Sequence, residues 1–314
     1  MVDALPPGYL MRRPADADAR AVAVLVGAVE LDIDGDRETT AADISGEWDG
    51  LDLERDAWLV EDRAGELAAY VRLASSGREY WADGYVHPRH RRRGLGAWLI
   101  ATTERDAAAR GRHAAIQNAC SASDAGAVAL LEAAGYALHL TFWRMAIEFA
   151  AEPPAPELPE GVTIGVAPAE LWPAYHAAKE LAFAEDPVHI PEPYERWLER
   201  TGARDDHDPS LRFAAVRDGS VIGIADCAHR HTGGFVNSLG VVPEDRRQGV
   251  GEALLAYAFT EFWRRGVPEV RLGVQAGNPT GATRLYERVG MHIVTAHRVY
   301  EKPLARPGDG RTPG

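Results

Sequence analysis

The sequence predicts an α/β chain built as two tandem copies of one domain, each a mixed, mostly antiparallel sheet flanked by helices. Three observations predict it. Residues 84–100, GYVHPRHRRRGLGAWLI, and 239–255, LGVVPEDRRQGVGEALL, both read as an apolar strand, a basic glycine loop and the start of a helix. The copies run at one offset of 155 residues, which pairs Pro88 with Pro243, Arg91 with Arg246, Gly94 with Gly249, Gly96 with Gly251 and, far downstream, Gly135 with Gly290. A chance match of six residues would not carry its surroundings with it, so the chain reads as a duplication. Finally, 314 residues with 46% hydrophobic and 26% charged content suit two soluble globular domains. Composition sets the expected boundaries: residues 1–150, a linker AEPPAPELPEG at 151–161 that is rich in Pro and Glu and lacks apolar period, and residues 162–314.

Each element has a local cause. In the first half, Tyr9 to Arg13 reads as a strand, and Asp16 or Asp18 caps an Ala/Val-rich helix ending near Val29. Residues 32–56 read as loop with a short helix around Ala41 to Trp48. Ala57 to Glu61 and Leu67 to Leu73 form a hairpin over Asp62 to Gly65, and Trp81 to His87 is the strand feeding the first glycine loop. A helix from about Leu95 to Arg110 stops at Gly111, a strand follows at Ala114 to Asn118, then a helix at Ser123 to Ala134 and a long strand at Tyr136 to Phe149.

The second half repeats this order. Val162 to Val166 restarts the fold, Pro168 to Ala184 reads as helical although Pro173 must sit in its first turn or break it, and 189–202 is a second short helix. Leu211 to Val216 and Val221 to Ala228 make a hairpin over Arg217, Asp218 and Gly219. Leu254, Leu255, Ala258, Phe259 and Phe262 share one face of the helix from Val250 to Gly266. Val270 to Gln275 is the next strand. Asn278 as N-cap and Pro279 as first helical residue predict a well-defined helix from Thr280 to Val289, and Met291 to Lys302 is expected to close the sheet of this half. The tail ARPGDGRTPG is expected to be disordered.

Composition also excludes function classes. A net charge of −13 argues against general nucleic-acid binding, and no apolar stretch reaches the ~18 residues a membrane helix requires. The N-terminus lacks the basic-then-apolar order of a signal peptide, which predicts a cytoplasmic protein. Cys120 and Cys227 fall in expected strands of different halves, so buried thiols are expected rather than a disulfide or a metal site.

The chemistry lies in the glycine loops. Such a loop gathers backbone N–H groups and the positive end of a helix dipole at one point, which makes an anion site. Gly249 and Gly251 leave room for a phosphate against the backbone, and Arg246 and Arg247 add charge at its rim. No Gly-Lys-Ser/Thr is present, so it is not a Walker loop, and the third glycine of a dinucleotide fingerprint is missing near Leu254.

Arg-x-x-Gly-x-Gly after a strand resembles the pyrophosphate loop of the GNAT superfamily of N-acetyltransferases, here in a tandem, two-domain form. The resemblance implies acetyl-CoA as acyl donor and a small-molecule primary amine as acceptor. It places the pyrophosphate on Arg246, Arg247, Gln248, Gly249, Val250 and Gly251, and pantetheine and the thioester carbonyl on the backbone of Leu239, Gly240 and Val241, with Asn278 completing the cofactor side. It further implies that Tyr286, in the segment Leu285-Tyr286-Glu287, protonates the departing thiolate. Helical spacing agrees that Tyr286 points inward with Ala282, Leu285 and Val289. In the first half Leu131 stands for Tyr286 and Ser123 for Asn278, while Val86, Arg91, Arg92, Arg93, Gly94 and Gly96 keep a CoA-type loop, with Arg89, His87 and His90 beside it. Catalysis is therefore expected in the second half. A CoA-sensing or scaffold protein that binds without turnover is the alternative, and oligomeric state is not legible.

Deprotonating an alkylammonium of pKa near 10.4 costs about 4.6 kcal/mol at pH 7, so a base is expected. Asp226, His229, Glu185, Asp186 and His189 are the candidates. The acidic loops, with Asp32, Asp34, Asp36 and Glu38 in one half and Glu185, Asp186, Asp205, Asp206 and Asp208 in the other, are expected to attract cationic amines.

Overall fold

The computed structural model describes residues 4–77, 79–186, 189–202, 207–278 and 281–304. Expectations for Asp205, Asp206, Pro279, Thr280 and the tail from 305 onward lie outside these. Two compact units emerge, and only the second is contiguous: Met1–Phe142 with Thr295–Gly314, and Trp143–Val294. Boundaries drawn from composition at 150 and 162 thus differ from those drawn by packing, which fall inside two long strands.

In the first unit, β1 (Tyr9–Arg12) leads to α1 (Ala19–Asp34), α2 (Ala41–Trp48) and α3 (Leu53–Asp56). Then follow β2 (Ala57–Asp62), β3 (Leu67–Ser76), β4 (Glu79–Val86), α4 (Leu95–Arg110), β5 (Ala115–Ser121), α5 (Ala125–Ala133) and the long strand β6 (Ala137–Glu148), whose residues from Trp143 on belong to the second unit. α1 runs past Val29 to Asp34 and ends at Gly35 with φ 80°, because no left-handed residue interrupts it earlier. Asp18 does not cap it; its carboxylate takes two bonds from Arg12 and one from the Ala15 N–H instead. Thr40 and Asp43 close a capping box on α2.

The second unit contains β7 (Val162–Val166), α6 (Trp172–Phe183), α7 (Tyr194–Gly202), β8 (Arg212–Arg217), β9 (Ser220–Arg230) and β10 (Gly233–Val241). α8 (Val250–Arg264), β11 (Glu269–Gln275) and α9 (Ala282–Arg288) follow, and then β12 (His292–Pro303), whose residues from Thr295 on belong to the first unit. Pro173 sits in the first turn of α6, as its missing N–H requires. α9 is shorter than expected: its N-cap is Gly281 at φ 76°, not Asn278, since a left-handed residue there cannot continue a helix from residue 278. The Asn278 N–H instead closes a turn on the Gln275 carbonyl.

Within each unit the strands run in mixed directions, mostly antiparallel. The first runs β1-β2-β3-β4-β5-β12 and the second β7-β8-β9-β10-β11-β6. β4–β5 and β10–β11 pair in parallel. β12 corrects one expectation, for it pairs antiparallel with β5, from His297 on Ser121 to Pro303 on Ala115, and so closes the first unit's sheet. Tyr300 is buried in that unit's core, while Met145 of β6 is buried in the core of the second. Cys120 is half-buried and Cys227 buried, both free thiols. Among the described residues no helix is long and apolar enough to cross a membrane.

Candidate active site

The two glycine loops share a backbone conformation. Arg92 and Gly94 have φ of 61° and 86°, and Arg247 and Gly249 have 60° and 84°. A non-glycine residue with positive φ is uncommon, and its recurrence two residues before a left-handed glycine in both units marks a built concavity. Gly94 and Gly249 are the N-caps of α4 and α8, whose first-turn N–H groups have no intrahelical partner. N–H groups pointing into one concavity at the positive end of a dipole suit a phosphate.

Side chains around the loop divide into braces and rim. Arg246 is a brace: its Nε donates to the Val241 carbonyl at 3.2 Å, Nη2 to the Ala182 carbonyl at 3.0 Å and Nη1 to Glu185 at 2.7 Å. Arg91 mirrors it with a 2.6 Å bond to Asp32. Gln248 accepts from Arg217 and donates to the Glu244 carbonyl, which fixes the loop from the hairpin side. Arg92 and Arg247 are exposed and have no side-chain partner among the described residues, while Arg93 donates to the Tyr9 hydroxyl. The second glycine of each loop is explained by packing. A Cβ on Gly96 would lie 2.7 Å from Leu130 Cδ2, and one on Gly251 would lie 3.4 Å from Leu285 Cδ2 and 3.6 Å from Val241 Cγ2. That contact sets Leu285 of α9 against the first turn of α8.

Beside each loop the parallel strands part. β10 pairs with β11 only from Gly234 to Val236, and a bulge follows at Asn237. From Ser238 to Val241 the strand keeps its β9 partners on one side, and the register records none on the other. The backbone of Leu239, Gly240 and Val241 thus borders an open edge, the kind of edge an extended ligand can pair with. β4 and β5 part likewise after Ala82, leaving Val86 beyond the paired stretch, but β4 has no bulge.

Tyr286 is 7% exposed in the core that holds Leu254 and Val274, and burial pushes its phenol pKa up to about 12. It is therefore a phenol that stays protonated at neutral pH. Leu131 fills the corresponding position in the first unit, 5% exposed. Packing alone is thus met by a leucine.

The candidate bases are largely engaged. Glu185 holds Arg246, and His189 Nε2 lies 2.9 Å from Glu180. Asp226 accepts from Arg212 at 3.3 Å, and His229 is exposed. The acidic loops also differ from a free negative field. Asp32 and Glu185 neutralise the bracing arginines, Asp34 accepts from Ser121 and Thr295, and Asp208 pairs with Arg265. The sequence carries one further signal of this geometry. Leu5-Pro6-Pro7-Gly8 and Leu158-Pro159-Glu160-Gly161 repeat at an offset of 153, as do Asp32 and Glu185. Pro6 and Pro159 pack on the loop glycines, 3.3 and 3.7 Å from where a Cβ on Gly94 or Gly249 would sit.

Comparison with known proteins bears on this geometry. The model of the acetyltransferase (GNAT) family matches residues 24–136 and 171–291. A mycothiol acetyltransferase of Thermobispora bispora is 34% identical over 76% of this chain and 80% of its own length, and one of Cellulomonas flavigena is 30% identical over 79% and 75%. Among solved structures, a GCN5-related N-acetyltransferase from Sphaerobacter thermophilus matches with a TM-score of 0.83 at 36% identity, covering 97% of this chain and 98% of its own. A tandem GNAT protein from the clavulanic acid biosynthesis pathway shares the fold at a TM-score of 0.72, 18% identity, covering 96% and 100%. With one family match in each half of its sequence, the chain belongs to the GNAT family of N-acetyltransferases, whose acyl donor is acetyl-CoA.

Proposed function

We propose that the chain transfers acetyl from acetyl-CoA to the primary amine of a small molecule, with the chemistry in the second unit. The observation that carries this reading is the contrast between two loops of one backbone conformation, one backed by the Tyr286 phenol and the other by the Leu131 side chain. In the second unit the anion cradle at 246–251 fits the pyrophosphate, and Arg247 stands free at its rim. The open edge at Leu239 to Val241 fits the pantetheine arm and the thioester carbonyl. A backbone donor to a developing oxyanion is typically worth about 3 kcal/mol.

The neutral amine nitrogen forms a bond to the thioester carbon, the carbon–sulfur bond breaks, Tyr286 gives its proton to the sulfur, and the surplus proton on the nitrogen leaves to water, from which the Tyr286 phenolate regains one. A phenol near 12 is a weak acid for a thiolate whose ordinary pKa is about 8.5. The burial that lifts the phenol also lifts a thiolate placed beside it, however, which narrows the gap. The relatives named mycothiol acetyltransferases support a small amine as acceptor. In the first unit, Arg91, Arg92, Arg93, Gly94 and Gly96 keep the cradle without the phenol, which fits binding of CoA without turnover.

The test is Tyr286→Phe, which removes only a hydroxyl. It is expected to lower turnover by roughly 10²-fold, the scale of a lost general acid, with acetyl-CoA affinity by calorimetry within about twofold of wild type. A variant that releases thiol at the wild-type rate, with chemistry limiting, would show that another group or water is the acid.

A further inference from the structure

Resting on the acetyl-transfer reading, the structure also points to what the acceptor carries. Across three strands the register sets Arg212 of β8 opposite Asp226 of β9, and Asp226 opposite Ser238 of β10. Ala214 and Ile224, two residues along from Arg212 and Asp226, pack in one core with Tyr175 and Trp197 of α6 and α7. Gly240, two along from Ser238, faces Ala182 and Phe183 of α6. Side chains two apart share a face, so the three form one polar row under α6 and α7. The row ends at Ser238, the first residue of the open edge after the bulge.

Arg212 is unusual in this row. It is 1% exposed, with its guanidinium carbon 4.9 and 4.5 Å from the ring centroids of Trp172 and Trp197. Its Nε is bound to Asp226, but its Nη1 is buried with no hydrogen-bond partner among the described residues. A buried charged donor without an acceptor is costly, and in a native protein it needs a reason. Arg212 and Asp226 line a narrow recess together with Thr201, His207, Asp208 and the bulged Asn237. The first unit supplies a control. Its equivalent row is Ala57, Arg72 and Asp83, where Arg72 is closed onto Asp83 and Glu47. There the arginine–aspartate pair seals the strand beside the cleft. In the second unit it is set one strand back, and the recess remains.

We propose that this row is the acceptor subsite: Asp226 takes the primary amine, and Arg212 Nη1 takes an oxygen carried a few bonds from it. The two groups belong to one ion pair, so both must be met by one compact moiety. The class of acceptor is therefore an amine with a neighbouring carbonyl or hydroxyl oxygen, in preference to a plain alkylamine.

The test compares glycinamide with propylamine on the full chain by thiol release from acetyl-CoA. The wild type is expected to favour glycinamide by about tenfold or more in kcat/KM, because a site built to bond an oxygen rejects the analogue that lacks it. Arg212→Lys keeps the charge but not the fork, and should cut that ratio to about two with acetyl-CoA affinity unchanged. No wild-type preference, or a preference that survives Arg212→Lys in a folded chain, overturns the proposal. If Arg212→Lys does not fold, the isosteric Asp226→Asn is read instead. A rise of about tenfold or more in KM for both amines is expected, and an unchanged KM overturns the proposal. Saturation-transfer NMR of glycinamide separates the two readings. Contact that Arg212→Lys abolishes, without any thiol release, sinks the transferase reading and leaves the subsite. Thiol release indifferent to Arg212 does the reverse, and neither contact nor release overturns both.

Discussion

Gly240 ties the open strand edge to the loop brace through a single missing methyl. A Cβ there would lie 2.8 Å from Ala182 Cβ and 3.1 Å from Phe183 Cε2. Ala182 has no rotamer to move, so the end of α6 would have to shift, and its carbonyl is what Arg246 Nη2 holds. Gly240→Ala is expected to cost about 1–3 kcal/mol, the usual price of overpacking, and to weaken acetyl-CoA binding through the displaced brace. Ala182→Gly in the same chain should restore most of it, less about 1 kcal/mol for a glycine in a helix. Urea melts of the four chains measure the coupling, and a value under about 0.5 kcal/mol would mean that the two residues act independently. At this scale the sequence was legible where chemistry and spacing coincide, as at Tyr286 against Leu131. It was not legible where a residue's role depends on which neighbour it meets. Arg246 reads as a rim charge in the sequence, because nothing local announces that Glu185, Val241 and Ala182 converge on it.

Among the elements, α6 and α7 carry the least regular part of the second unit and a buried histidine between them. His176 is 7% exposed, packed at 5.7 and 5.3 Å from the ring centroids of Tyr194 and Trp197, and its Nε2 has no hydrogen-bond partner among the described residues. Burial lowers its pKa, against the opposing pull of Glu180 and with help from Lys179. The unfolded chain then binds this proton more readily than the folded one. Stability from this group is therefore fully present above the ordinary histidine pKa of about 6.5 and is lost as pH falls below it. The urea midpoint should drop between pH 7 and 5.5, and His176→Gln, which cannot be protonated there, should flatten that slope. An equal slope in the variant would assign the acid sensitivity to other groups. Element type and order were legible from apolar period and turn residues, as with Pro173 at the start of α6 and Gly111 after α4. The start of α9 was not, because Asn278 and Pro279 make a good local cap and only the left-handed Gly281 overrides it.

For the whole molecule the sequence holds a true ambiguity. β6 and β12 stand at the same offset of 155 as the two glycine loops, and both read as long final strands of their copies. Period and composition are satisfied whether each strand stays in its own copy or serves the other. The packing that decides it is tertiary. Lys302 Nζ bonds Glu104 and the Ala134 carbonyl at the end of α5, where a cation suits the helix dipole, and Tyr300 is buried in the first unit's core. All seven residues of β5 pair with β12, but only Ile116, Gln117 and Asn118 pair with β4. A chain ending at Val294 should therefore lose the first unit's order while it still contains every residue of the second. Removing the buried Tyr300 side chain alone is a change of about 3–5 kcal/mol on the scale of large aromatic truncations. Amide exchange locates the effect. Amides of β5 are expected to exchange at least about 10²-fold faster in the shortened chain, the factor that corresponds to losing about 2.7 kcal/mol of protection, while those of β8 and β9 change far less. Unchanged protection in β5 would mean that β4 and the helices hold that strand without β12, and that the exchange of final strands is incidental to the stability of the first unit.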